Sequence, residues 1–129
     1  MGDALWDIRR EKNGFTISEN EWKIQTTAFG YDGIRKAINE KTKLVTIQRS
    51  KGYATRPTLS VERIGELIHF IKDIKPDVIC MVDNCYGEFV EKIEPSEVGA
   101  DMVVGSLIKN PGGGLAPCGG YIHCYGGRQ

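Results

Sequence analysis

The stretch MVVGSLIKNPGGG, residues 102–114, gives the strongest indication of the fold. Its first half is a run of apolar, partly β-branched residues, which predicts a strand that is buried on both faces. Lys109 stands at the end of this run and is followed by Asn110, Pro111 and three glycines. Because proline disfavours helical geometry at Asn110 and glycine permits sharp turns, the backbone beyond Lys109 can approach another group closely. The pattern therefore predicts a lysine at the exit of a strand, in a loop suited to a ligand.

A second apolar run lies upstream, at residues 78–82, and it ends in Asp83 and Asn84. An acid and a lysine thus follow two buried strands, and in an open α/β sheet ligands bind at the carboxyl ends of the strands. A plainer interpretation stands beside this one. In it, Lys109 is a solvated surface lysine whose stem covers apolar neighbours, and Asp83 is a turn residue at a strand end.

One long amphipathic helix is predicted between Ser60, a helix-capping residue, and Lys75, which Pro76 follows. Apolar residues recur along it at helical spacing: Val61, Ile64, Leu67, Ile68, Ile71 and Ile74. The helix follows an apolar strand at residues 44–48 and precedes the strand that ends at Asp83, which makes a βαβ unit with parallel strands. We therefore predict a three-layer α/β fold, in which helices pack on a mostly parallel sheet.

Two shorter helices and a last strand complete the predicted fold. Asp32 is expected to cap a helix that runs towards Lys41 and Lys43, residues 95–97 to form one helical turn, and residues 119–124 to form a strand.

The domain assignment follows from these elements. Residues 1–30 are charged and poorly periodic, which leaves them as an unassigned leader, either disordered or not native to the domain. Residues 31–125 are predicted to form a partial α/β domain, and residues 126–129 a frayed tail. In the loop at residues 49–57, the arginines and Tyr53 could reach a ligand, and a solvated connection is the alternative.

Composition and charge limit the classes of partner. The 129 residues include 17 basic and 17 acidic residues, so the formal net charge is zero, and no basic face or tail stands out. Neither nucleic acid nor an anionic membrane surface is therefore expected as a partner. No apolar stretch approaches membrane-spanning length, and residues 1–6 lack the basic start and apolar core of a secretion signal, which predicts a cytoplasmic protein.

The four cysteines, Cys80, Cys85, Cys118 and Cys124, give no indication of a metal site. No pair has the short C-x-x-C spacing of zinc sites, and free thiols fit a reducing compartment. Cys80 lies within an apolar run, where it is expected to behave as a small apolar residue. We therefore predict that no metal is bound.

An acid and a lysine at one sheet edge suit the chemistry of pyridoxal 5′-phosphate. Three motifs make this suggestion specific: VDNCYGEFVE at residues 82–91, EPSEVGAD at 94–101 and GSLIKNPGGGLAPCGGYI at 105–122. The segment that carries them, residues 42–122, closely resembles the aluminium-resistance or methionine gamma-lyase-like family of fold-type I pyridoxal-phosphate enzymes. The resemblance covers roughly two-thirds of the chain.

This resemblance implies a carbon–sulfur lyase, related to the cystathionine lyases, that acts on sulfur amino acids. It implies that Lys109 binds the cofactor covalently and then serves as the catalytic base, and that Asp83 holds the pyridine nitrogen protonated. Ser106 is implied as a ligand of the cofactor phosphate, although it could equally be a plain strand-end serine. Asn84 is implied as a loop-ordering residue beside the cofactor. In the full-length family the assembly is a homotetramer.

The three glycines after Lys109 could also suggest a phosphate-binding loop, because glycine-rich turns expose backbone amides to anions. The order of residues argues against this, since in such a loop the lysine follows the glycines and opens a helix, whereas here it precedes them.

Parts of the family pattern are not identified in this chain. These are an amino-terminal phosphate loop, an aromatic ring stacked on the cofactor, and an arginine that binds the substrate carboxylate. We therefore expect a truncated copy with impaired activity, which tends to self-associate through unpaired sheet edges. The alternative is a non-catalytic remnant or interaction domain with the same α/β fold.

Overall fold

The structure, a computed structural model, describes residues 30–53 and 55–125. Its centre is a four-stranded sheet of β1 (Leu44–Gln48), β2 (Ile79–Asp83), β3 (Met102–Ser106) and β4 (Gly120–Cys124), hydrogen-bonded in that order. β1, β2 and β3 are parallel, and β4 runs antiparallel to β3. The predicted α/β class with a mostly parallel sheet is therefore confirmed.

Two α-helices are described, α1 (Gly30–Ala37) and α2 (Val61–Ile74), together with a 3₁₀ turn at Pro95–Val98 that matches the predicted helical turn. α2 begins as its sequence predicts, because the Ser60 hydroxyl accepts a hydrogen bond from the backbone N of Arg63 at 3.2 Å. This contact satisfies one of the free N–H groups of the first helical turn.

One face of α2 supplies one side of the core. Its buried residues are Val61, Ile64, Gly65, Ile68 and Ile71. Leu67 and Ile74, at the margins of the predicted stripe, are half-buried. Burial of each large apolar side chain stabilises the fold by about 1.5–3 kcal/mol. A Cβ at Gly65 would lie 3.1 Å from Val98 Cβ, so glycine allows the helix to approach the 3₁₀ turn closely.

The sheet supplies the facing side of the core from one of its faces. Side chains alternate along β2, so Cys80 and Val82 are buried while Ile79 is 41% exposed. The register places Ile47 and Val103 on either side of Val82, and both are buried. Burial raises the pKa of the Cys80 thiol to about 11, which agrees with its expected role as a small apolar residue.

The opposite face of the sheet, which we call the open face, carries Thr46, Ile79, Met81, Val104 and Ile122. Thr46 is exposed and Ile122 is 70% exposed. The prediction of a strand buried on both faces is therefore wrong for β3, in which only the core-facing valine is buried. The physical reason is that the one α-helix described in residues 38–53 and 55–125 packs against a single face of the sheet. No helix from these residues covers the open face, and the third layer stays a prediction.

The end of β3 differs from the prediction. The strand ends at Ser106, and Leu107 and Ile108 belong to a turn in which the backbone N of Lys109 donates to the Ser106 carbonyl at 3.3 Å. The Gly113 backbone N then donates to the Lys109 carbonyl at 3.0 Å, so the turn continues into the glycine-rich loop. The lysine therefore lies one turn beyond the strand exit.

The amino-terminal helix also differs from the prediction. α1 begins at Gly30, so Asp32 lies inside its first turn and does not cap the helix. At this position its carboxylate still interacts favourably with the helix dipole. The helix ends at Ala37, well before Lys41. A division of the chain falls between Ala37 and Ile38, and α1 is described here by itself. The predicted leader, apart from Gly30, and the predicted tail lie outside the described residues, and the predicted domain bounds stay a prediction.

Candidate active site

Asp83 and Ser106 lie on the open face of the sheet, at the carboxyl ends of two parallel strands. Asp83 ends β2 and is in register with Val104 of β3, and Ser106 stands two residues further along β3. Because residues two apart in a strand share a face, the register brings Asp83 and Ser106 to one edge of one face. Lys109 follows Ser106 by a single turn and reaches the same edge.

Cys85 lies between Asp83 and Lys109. Its backbone N donates a hydrogen bond to Asp83 Oδ1 at 3.1 Å, and its thiol lies close enough to the Asp83 and Lys109 side chains for both to affect its pKa. Burial raises the pKa of this thiol and the contact with Asp83 raises it further, while the Lys109 ammonium opposes the shift. The same contact with Cys85 raises the pKa of Lys109. The carboxylate and the amine are therefore neighbours across one sulfur atom.

Tyr86 covers the Lys109 amine from a second side. The Nζ atom lies 4.8 Å from the centre of the Tyr86 ring, a distance typical of a cation–π contact. Tyr86 has a φ of 67°, a left-handed conformation that side chains rarely adopt and that costs about 1–3 kcal/mol. No sequence pattern singles out Cys85 or Tyr86 at this site, although both directly follow the Asp83-Asn84 pair in one motif.

Asn84 is not brought to Lys109. Its side chain is buried, with Oδ1 accepting from Arg49 Nη1 at 2.8 Å and Nδ2 donating to Glu94 Oε2 at 2.9 Å. Its backbone N donates to the Val104 carbonyl at 2.8 Å and so extends the β2–β3 ladder. The residue therefore orders the loop after β2, as expected, through contacts on the core side, and its place beside a cofactor stays a prediction.

Arg49 is the centre of a buried network behind this loop. Its side chain is 2% exposed, and it donates to the Gly87 carbonyl at 2.8 Å and to Glu91 Oε1 at 2.5 Å. Glu91 also accepts from the backbone N of Val61 at 3.0 Å, which ties the loop to the start of α2. Arg49 does not extend from the loop towards a ligand, because its side chain is buried and three of its five N–H groups donate to Asn84, Gly87 and Glu91. In the sequence, the indication of this buried role is that Arg49 directly follows the apolar strand at residues 44–48.

The rest of the loop after β1 is held to its own backbone. Arg56 Nη2 donates to the carbonyls of Gln48 at 2.9 Å and Ser50 at 2.5 Å, and Tyr53 is fully exposed. These contacts match the alternative of a solvated connection between β1 and α2.

A comparison with known proteins places this geometry in a family. The family model described as methionine gamma-lyase matches residues 10–128. The chain belongs to the methionine gamma-lyase family. The lysine, the acid and the motifs that surround them all lie within the matched residues, so the resemblance stated from the sequence is confirmed.

Three relatives illustrate the family. The uncharacterized protein YnbB of Bacillus subtilis (strain 168) is 61% identical over 92 residues, which are 71% of this chain and 22% of YnbB. The structure of a Listeria monocytogenes str. 4b F2365 protein, named as a candidate cystathionine beta-lyase involved in aluminum resistance, matches with a TM-score of 0.72 and 60% identity. That match covers 74% of this chain and 24% of the Listeria chain.

The third relative is a carbon-sulfur lyase involved in aluminum resistance from Clostridium novyi NT, which matches with a TM-score of 0.66 and 48% identity. The match covers 72% of this chain and 22% of the Clostridium chain. This member of the family thus spans less than a quarter of the length of the three relatives.

Two further findings concern the described residues alone. Residues 30–53 and 55–125 contain no group of three or more His, Cys, Asp and Glu side chains that could hold a metal ion. No helix in this part of the chain is long and apolar enough to cross a membrane.

Proposed function

We propose that this chain forms the cofactor-binding part of a pyridoxal-phosphate-dependent carbon–sulfur lyase that acts on sulfur amino acids, in the manner of a methionine gamma-lyase or a cystathionine beta-lyase. The observation that carries the proposal is the meeting of Asp83 and Lys109 at one sheet edge, on either side of the Cys85 sulfur. Membership of the methionine gamma-lyase family and the lyase names of the solved relatives support it.

The donor set at this edge fits pyridoxal 5′-phosphate. The Lys109 amine would hold the cofactor aldehyde covalently, the Asp83 carboxylate would pair with the protonated pyridine nitrogen, and the Ser106 hydroxyl would donate to the phosphate. When bound, the cofactor supplies an electron sink for the negative charge that forms at the substrate's alpha carbon.

The chain's own residues then have separate tasks. A carboxylate beside a cation has its charged form favoured, so Asp83 would keep its partner protonated through neutral pH. The Lys109 amine, once released, would take the proton from the alpha carbon of the amino acid. For a gamma-lyase substrate, it would protonate the gamma carbon after the carbon–sulfur bond has broken and the sulfur has left as a thiolate. Asn84 and Arg49 would contribute indirectly, because their hydrogen bonds fix the loop that carries Cys85 and Tyr86.

Borohydride trapping tests this proposal. The folded protein is mixed with pyridoxal 5′-phosphate, reduced, digested and analysed by mass spectrometry, and we expect the cofactor mass on Lys109. A Lys109→Ala variant should lose the label, whereas Lys51→Ala, which removes an exposed lysine from the loop after β1, should keep it on Lys109. Correctly folded protein that is labelled at random lysines, or not at all, would instead favour a non-catalytic α/β domain.

A further inference from the structure

The loop after β2 contains two aromatic residues whose backbone is left-handed. Tyr86 has a φ of 67° and Phe89 a φ of 62°, and they are the non-glycine residues with positive φ in the part of the chain that the structure describes. The hydrogen bond from the Gly87 backbone N to the Asn84 carbonyl at 2.7 Å closes a turn with Tyr86 at its third position, where a positive φ favours glycine or asparagine. A tyrosine at this position carries a backbone cost, and such costs are concentrated at functional sites.

Burial of the Tyr86 ring does not offset this cost, because the side chain is 62% exposed. The contact that the structure gives the ring is with Lys109, whose Nζ atom lies 4.8 Å from the ring centre. Phe89 shares the left-handed backbone and is 79% exposed, but its ring lines a cleft together with Val103 and Tyr121. The tyrosine is thus distinguished from the phenylalanine by the cation that it faces.

The groups that surround the Lys109 amine all favour its charged form. The pKa of Lys109 is raised, first by the contact with Cys85 and then by the Tyr86 and Asp83 groups, while partial burial opposes the shift. These neighbours come from the end of β2 and from the loop that follows it. The face of an aromatic ring attracts a cation and has no such attraction for a neutral amine, so the Tyr86 ring discriminates between the two protonation states of the lysine.

We infer that Tyr86 is a positioning residue for the proposed proton transfer, because its ring receives the ammonium group that Lys109 becomes when it takes the alpha proton of the substrate. In this step the Nζ–H bond forms as the C–H bond breaks, and the electron pair of the C–H bond remains with the substrate. The ring favours the protonated product of the step at Lys109 over its neutral reactant. The inference rests on the proposed lyase function and adds a residue to it.

A pH titration of Lys109 in the full chain without cofactor tests this inference. It follows the NMR signals of the methylene group next to Nζ, which Lys109→Ala identifies by their loss, and we expect the Tyr86 ring to shift them upfield. Tyr86→Leu should abolish this ring shift and lower the proton affinity of Lys109 by about 2- to 5-fold, the value of an exposed cation–π contact. Tyr86→Phe removes the ionisable hydroxyl but keeps the ring face, so it should keep the ring shift and titrate at higher pH than Tyr86→Leu.

Phe89→Leu is the matched control, because it makes the same kind of change at the second left-handed aromatic residue of the loop and should titrate like the unaltered chain. Tyr86→Gly removes the ring together with the backbone cost, so it replaces Tyr86→Leu if that variant fails to fold, and it should titrate in the same way. Equal titration of the variants with and without a ring, or an equal effect of Phe89→Leu, would overturn the inference. Because the titration needs no cofactor, the borohydride experiment decides the proposed function separately.

Discussion

The Lys109 amine has two close neighbours in this structure, the Cys85 sulfur and the Tyr86 ring. Both contacts stabilise the ammonium form, and the contact with Cys85 is the largest cause of the raised pKa of Lys109. A raised pKa means that more of the amine is protonated at neutral pH. Since only the neutral amine attacks an aldehyde, the raised pKa should slow the attachment of the proposed cofactor at neutral pH.

Replacement of Cys85 by alanine should therefore make Lys109 a stronger nucleophile near neutral pH. Removal of the sulfur lowers the pKa of Lys109, so its neutral fraction at a given pH rises. The measurement is the rate of acetylation of Lys109 as a function of pH, followed by mass spectrometry. We expect the profile of the Cys85→Ala variant to move to lower pH.

Cys118→Ala provides the control for this experiment, because Cys118 is exposed and does not contribute to the raised pKa of Lys109. Its acetylation profile should coincide with that of the unaltered chain. Identical profiles for all three proteins would show that Cys85 does not act on the amine.

At the scale of elements, the buried side chain of Arg49 helps to hold the loop between β2 and the 3₁₀ turn. Arg49 donates to Asn84, to the Gly87 carbonyl and to Glu91. A Cβ at Gly87 would lie only 2.5 Å from Arg49 Cδ, so the guanidinium stem and the loop backbone are packed directly together. The loop that carries Cys85 and Tyr86 thus depends on Arg49 for its shape.

Arg49→Gln should destabilise the fold by about 3–5 kcal/mol, because it leaves buried acceptors without their charged donor. The measurement is the free energy of unfolding from urea titration. Arg63→Gln changes an exposed ion pair with Glu66 on α2 and should cost less than about 1 kcal/mol. A loss for Arg49→Gln no larger than that of Arg63→Gln would contradict the central role of this network.

The apolar stripe of α2 supports a second prediction at this scale. Ile68 is 3% exposed, so Ile68→Asp buries an unpaired charge in the core and should cost about 3–5 kcal/mol, enough to unfold a small domain. Circular dichroism with thermal unfolding measures the loss. His69→Asp, on the exposed side of the same helix, is the control and should stay folded. A stable Ile68→Asp variant would mean that the stripe is exposed.

At the scale of the whole molecule, the open face of the sheet exposes apolar side chains. Ile122 on β4 is 70% exposed and Ile79 on β2 is 41% exposed, on the face opposite α2. Such a patch on a flat sheet with two edge strands is prone to contact other chains. Self-association of this chain stays a prediction, and the open face is the surface through which we expect it to occur.

Self-association should become measurable as the protein concentration rises. Sedimentation velocity is expected to show dimers or larger species, and Ile122→Lys should shift the population towards monomer because it places a charge on the open face. Leu115→Lys is the control, since Leu115 is 92% exposed in the glycine-rich loop and away from the sheet. A monomer at every concentration tested would refute the prediction.

Turnover by this chain alone is expected to be slow or absent, even if Lys109 accepts the cofactor. The chain spans 22% to 24% of the length of the relatives compared. Catalysis requires the substrate to be held in one geometry, and a misplacement of about 1 Å costs on the order of a hundredfold in rate. The assay is release of a 2-oxo acid from methionine, cystathionine or cysteine by cofactor-loaded protein. Rapid release that disappears in Lys109→Ala would contradict this expectation.

The sequence by itself determined the elements, because their signals are local. The Ser60 cap and the spacing of the isoleucines predicted α2, and the apolar runs predicted β1 and β2 with Asp83 at the end of β2. The parallel arrangement followed from the handedness and length of one βαβ unit. Asp83 and Lys109 could be singled out for the same reason, since each stands at or just beyond a strand end, whereas Ser106 was implied by the family resemblance.

Only the tertiary structure decided which side chains meet. Cys85 and Tyr86 reach Lys109 because the backbone after Asp83 turns through an uncommon conformation at Tyr86, which no local pattern announces. Arg49 is buried because partners 35 and 42 residues away, Asn84 and Glu91, converge on it. The hydrogen bond from the Tyr121 hydroxyl to Glu88 Oε1 likewise joins two segments that are 33 residues apart. Contacts between distant segments depend on register and packing, which a linear pattern of apolar and polar residues does not specify.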